Sequence, residues 1–160
     1  MKGFISYTHS DHALFRKLEP HLALGKDHGG ADFWADNRLS AGEHWSPAIE
    51  TAIDAAEIFL LLVSAKFFAS AYIWHVELPR IVVKAAQCDG LIVPVILRGC
   101  RWEFNLGMYQ AVPTIAGHIR PIADLYPHDR RCDLAARQVH DAIVARTARL
   151  AGTTPAVKTP

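Results

Sequence analysis

The sequence predicts an α/β domain built as a doubly wound parallel sheet of about five strands with helices on both faces. Three observations predict it. Short β-branched or aromatic runs alternate with amphipathic stretches in the order βαβαβαβ, followed by irregular chain, a short strand and a helix. Two runs, 57–63 and 91–97, are almost continuously apolar, as strands covered on both faces require. The chain has 160 residues, 51% of them apolar, which suits one domain with a full core.

The elements follow in order. Residues 4–7, Phe-Ile-Ser-Tyr, form the first strand. Ser10 or Asp11 then caps a helix with Leu14, Phe15, Leu18 and Leu22 on its apolar side. Gly25 and the pair Gly29-Gly30 stop it, and residues 32–35 make a second short strand. A polar loop at 36–44 leads into a helix over 45–56 with Ile49, Ala52, Ile53 and Ala56 on one face. The buried strand 57–63 follows, and Ser64 caps a short turn at 65–69. A helical stretch over 70–86 carries Ile73, Val76, Ile81, Val82 and Ala85, and Pro79 kinks it or marks a fresh start. Residues 91–97 form another buried strand despite Pro94, 98–113 read as irregular, and 118–121 as a short edge strand. A long helix over 130–150 buries Leu134, Val139, Ile143 and Leu150. The domain thus spans 1–150, and the Thr- and Pro-rich residues 151–160 read as a disordered tail or a linker to a further domain.

Bulk properties exclude several classes. A formal net charge of +1 without a run of like charge argues against direct nucleic-acid binding, which needs a basic surplus. The longest apolar run is far too short to span a bilayer, and the start is a strand signal rather than a leader, so a cytoplasmic protein is expected. Cys88, Cys100 and Cys132 are widely spaced without a C-x-x-C pair, which points to buried or half-buried free thiols and no metal. No G-x-G-x-x-G follows the first strand, no glycine loop holds a Walker lysine, and no G-x-S-x-G elbow is present. In such sheets ligands bind beyond the carboxyl ends of the strands. Those ends lead into 8–11, 36–44, 64–70 and 98–104, where polar residues concentrate.

Four segments carry a more specific signal: Phe4-Ile5-Ser6-Tyr7-Thr8-His9-Ser10-Asp11; residues 36–45, with Leu39, Gly42 and Trp45 spaced through the loop; Leu62-Val63-Ser64 with Phe67 or Phe68; and Ser70-Ala71-Tyr72-Ile73-Trp74-His75-Val76-Glu77. In this order they resemble the bacterial branch of the TIR (Toll/interleukin-1 receptor) domain family. Ile92-Val93-Pro94-Val95-Ile96-Leu97 and Cys100-Arg101-Trp102 fit the same branch, and the resemblance covers about residues 3–147.

The resemblance implies a flavodoxin-like fold and one of two activities. Many family members are NAD⁺ nucleosidases that release nicotinamide and ADP-ribose or a cyclic isomer; others are adaptors that assemble with further TIR domains. The enzymes carry a glutamate in the helix after the third strand, here Glu77. NAD⁺ would be substrate, with no cofactor. Loss of nicotinamide leaves positive charge on the ribose, and the cationic leaving group needs no general acid. One carboxylate that bonds the ribose hydroxyls and stabilises that charge then suffices. By spacing alone, Glu77 reads as a solvated residue paired with Arg80 or Lys84; the family match assigns it the catalytic role.

Supporting substrate-binding residues are Tyr7, Thr8 and His9 after the first strand, read otherwise as a turn and cap. Asp36 bonds a ribose or forms an Asx-turn. Trp45 is a ring platform or a core tryptophan, and Ser70 a cap or a pocket hydroxyl. Trp74 walls the pocket or packs in the core, and Trp34 reads as core. Trp74 stands three residues before Glu77, where some enzymatic members space the pair by four. The resemblance also implies partners: other TIR domains in head-to-tail assembly, with loop 36–44 of one copy completing the next pocket, a fused or separate sensor as trigger, and a role in antiviral defence.

Overall fold

The structure, a computed structural model, describes residues 1–35, 47–124 and 126–152. Strands β1 (Lys2–Ser6), β2 (Asp32–Ala35), β3 (Ile58–Val63) and β4 (Leu91–Ile96) form a parallel sheet in the order β2-β1-β3-β4. The expected α/β architecture is therefore present. Successive side chains of a strand point to opposite faces, and each face has its own core. Ile5, Leu60, Leu62, Val93 and Val95 pack under α1 (His12–Ala23) and α6 (Asp129–Leu150), against Phe15, Leu18, Val139 and Ile143. Phe4, Phe59, Leu61, Val63 and Ile96 pack under α2 (Pro47–Ala55) and α4 (Leu78–Gln87), against Ile49, Ile53 and Ile81. All six residues of β3 are buried, which is why its sequence shows no alternation.

Two single-turn helices, α3 (Ala65–Ala69) and α5 (Glu103–Leu106), sit at the carboxyl ends of β3 and β4. Ser64 caps α3 as expected, its Oγ accepting from the Phe67 amide at 3.2 Å. Pro79 marks no fresh start: helical backbone runs on from Tyr72 through Leu78, and Pro79 stands in the first turn of α4 directly after a π turn over Ile73–Glu77. Pro94 is tolerated because the amide hydrogen it lacks would face away from β3. Its carbonyl, on that same side, accepts from the Val112 amide at 2.9 Å.

Some expectations need correction. Residues 118–121 do not extend the parallel sheet: His118–Ile119 (β6) pairs with Thr114–Ile115 (β5) in a separate antiparallel hairpin. The place beside β4 is taken by Val112, bridged in parallel to Val95. Residues 98–113, read as irregular, contain α5. Trp34 is 36% exposed rather than core, because β2 is an edge strand; it stacks on Phe4 with centroids 5.6 Å apart. Leu150 and Val82 are exposed, Leu150 because α6 runs past the sheet it covers. Among the described residues no helix is long and apolar enough to cross a membrane.

Candidate functional site

The strand order reverses direction between β1 and β3: the chain leaves β1 toward β2 on one side and returns to β3 on the other. In open α/β sheets, ligands bind beyond the carboxyl ends of the strands at such a switch point. Ser6 ends β1 and shares the face of Phe4, the face covered by α2 and α4. Its Oγ donates to Glu77 Oε2 at 2.6 Å, and both residues are buried, Glu77 with 4% of its surface exposed.

Glu77 reaches that position through a π turn. Residues Ile73–Glu77 form it, and the Leu78 amide bonds back five residues to the Ile73 carbonyl. The buried residues of this element and α4 are Ile73, Glu77, Ile81 and Ala85, spaced by four. A regular α-helix turns by less than four residues, so this stripe would drift across its surface. The wider turn between Ile73 and Glu77 takes up part of the drift, and a carboxylate occupies a place in the apolar stripe. π turns of this kind recur at functional sites.

The alternative pairing of Glu77 with Arg80 or Lys84 is not formed. Arg80 binds across to α2 instead: Nη1 to Glu50 Oε2 at 2.6 Å, Nη2 to Asp54 Oδ2 at 2.7 Å. That hydrogen bond holds the Asp54 carboxyl below its ordinary range and raises the Arg80 guanidinium above its own. Arg80 therefore ties α4 to α2, the helix that follows residues 36–46.

A second polar group lies across the switch point. Asp11, 1% exposed, accepts through Oδ2 from Ser64 Oγ at 2.5 Å and from Thr8 Oγ1 at 3.1 Å. Its Oδ1 accepts from Arg98 Nε at 3.1 Å. Ser64 directly follows β3, and Arg98 lies two residues beyond β4. Asp11 does not cap the helix with its side chain, contrary to expectation; residues His9–Asp11 form a 3-10 turn that aims the carboxylate back at the sheet.

The remaining predicted residues spread around this edge. Tyr7 is half-buried and stacks on Phe15 at 4.6 Å, toward the α1 core. Thr8 belongs to the Asp11 group. His9 is exposed and stacks on His12 at 6.0 Å. Ser70 acts as a cap, its Oγ accepting from the Ile73 amide at 3.4 Å. Trp74 is half-buried and meets Phe68 edge-on at 5.9 Å. Asp36 and Trp45 lie outside the described residues.

Sequence reasoning missed Ser6, Ser64 and Arg98 as partners of the two carboxylates. A signal for the serines existed: each stands where an apolar strand ends. Arg98 carries no such mark, because its tie to Asp11 spans 87 positions of sequence. The three cysteines are free thiols, half-buried or buried as expected. Burial pushes the Cys132 thiol up to about 11.

A family model described as TIR domain matches residues 4–125. The chain is also 35% identical over 154 residues to Uncharacterized protein y4lF of Sinorhizobium fredii, a match covering 96% of this chain and 46% of that protein. The chain thus spans about half the length of the curated relative it matches. Matched over most of its length, with the parallel sheet in place, the chain belongs to the TIR domain family.

Proposed function

We propose that this TIR domain is an NAD⁺ nucleosidase in which Glu77 is the catalytic residue. The observation that carries the proposal is the Glu77 carboxylate, withdrawn from water and hydrogen-bonded by Ser6 at the switch point of the sheet. A carboxylate in such surroundings stabilises developing positive charge more strongly than one in bulk water. In this reading the ribose hydroxyls of the nicotinamide half take the place of Ser6 Oγ on Glu77. The bond between C1′ and the nicotinamide nitrogen breaks with its electron pair going to nicotinamide, which leaves neutral. The ribose carries the positive charge in the transition state, facing Glu77. Water or the adenine of the same molecule then bonds to C1′ and loses a proton, giving ADP-ribose or a cyclic isomer.

Assembly belongs to the same reading. Copies stack head to tail, and residues 36–44 of one copy complete the pocket of the next; a contact that does not close yields a filament. A trigger from a fused or separate sensor starts the assembly, and NAD⁺ loss or a cyclic signal serves antiviral defence. The test is nicotinamide release from NAD⁺ by concentrated or crowded protein, wild type against Glu77→Gln. Release by the wild type and a loss of at least a hundredfold in the variant is expected. Wild-type protein that assembles but leaves NAD⁺ untouched overturns the reading in favour of a scaffold that only recruits other TIR domains.

A further inference from the structure

We infer that Arg98, aimed by the buried Asp11, is the diphosphate-binding residue of this site. The inference rests on the dinucleotide reading of Glu77 and adds the subsite that the other half of such a substrate needs. Glu77 with Ser6 at the end of β1 offers a site for ribose hydroxyls, and neither side chain can bind a phosphate by charge. A dinucleotide brings two negative charges on its diphosphate, one methylene away from the reacting ribose. Open parallel sheets often meet such a group with a glycine loop, and this chain has none after β1.

Arg98 fills that need. It follows β4, two strand positions from β1, about 10 Å across the sheet edge. Its side chain is half exposed, 52%, whereas its partner carboxylate is sealed. Asp11 engages only Nε, and among the described residues Nη1 and Nη2 make no further bond. Asp11 is itself fixed by Ser64 and Thr8, so the guanidinium is held from behind while its forked end faces outward. A planar fork with two parallel N–H groups matches a phosphate in two-point contact. An arginine engaged for structure alone would gain little from a partly exposed pair; here Thr8 and Asp11 from the turn after β1 and Ser64 from the end of β3 converge to orient it.

The test reads binding and turnover separately. Binding of ADP-ribose and of inorganic pyrophosphate is measured by calorimetry for wild type, Arg98→Ala, Arg98→Lys and Asp11→Asn. Turnover is measured on NAD⁺ and on nicotinamide riboside, which has no phosphate. Arg98→Ala is expected to weaken both binders by about tenfold to a hundredfold and to raise KM for NAD⁺ similarly. Turnover of nicotinamide riboside should stay unchanged. Arg98→Lys should recover only part of the binding, since the fork is lost, and Asp11→Asn should weaken binding less than Arg98→Ala. Equal losses on NAD⁺ and nicotinamide riboside, or unchanged diphosphate binding in Arg98→Ala, overturn the inference. If wild type binds ADP-ribose through Arg98 yet cleaves neither substrate, the nucleosidase reading fails while the diphosphate subsite stands.

Discussion

Glu77 and Asp11 are both carboxylates closed off from water, and each accepts from a serine hydroxyl, Asp11 pairing with Arg98 as well. A hydroxyl satisfies a carboxylate oxygen without bringing a charge of its own. Replacing Ser6 by Ala removes the hydroxyl that bonds Glu77 Oε2. The expected outcome is altered nicotinamide release with retained fold, read by kcat and KM against an unchanged far-ultraviolet dichroism spectrum. Another closed-off titratable group is the Cys132 thiol. Its value in the fold, about 11, lies above its ordinary 9.0 because burial disfavours the thiolate. The protonated thiol thus favours folding fully below pH 9, and that contribution is lost as pH rises from 9 through 11. Wild type should lose denaturant stability more steeply over this window than Cys132→Ala, measured as the difference in midpoint between pH 8 and pH 11.

Regular elements were legible in the sequence where their spacing is regular. The apolar run of β3, the i, i+3, i+4 pattern of α1 and the serine cap of α3 all follow from period and chemistry. The π turn was not legible, because no residue type marks it; it arises when a stripe spaced by four must stay on one face. For the same reason, Glu77 read from spacing alone belonged in solvent, and only tertiary packing puts it between Ile73 and Ile81. A strand was legible at His118–Ile119, but its partner Thr114–Ile115 and the separate hairpin were not, because a two-residue strand has no period to detect. Ile81, fully buried on the same stripe, anchors α4 to the sheet. Ile81→Ala should cost about 2–5 kcal/mol in denaturant unfolding and should lower nicotinamide release as well, since the element that carries Glu77 loses its anchor.

The whole molecule divides its labour between the two faces and the carboxyl edge of one sheet. α1 and α6 close one face and α2 and α4 the other, while polar residues from both sides of the switch point gather at the edge. If residues 36–44 of one copy complete the pocket of another, total release of nicotinamide should rise more than linearly with protein concentration. Light scattering run beside the activity assay would show whether the rise coincides with assembly; linear activity from a monodisperse monomer would refute it. The Ser6 bond to Glu77 joins residues 71 positions apart, and Asp11 waits for Arg98, 87 positions further along the chain. Contacts so distant in sequence form late, after the loops between them have closed. With β4 still unplaced, Ser6 can already reach Glu77 and Ser64 can reach Asp11, but Arg98 has yet to meet its carboxylate. On the proposed reading, the arginine for the diphosphate is therefore the last of these side chains to find its partner, and a chain without its final parallel strand lacks that part of the site.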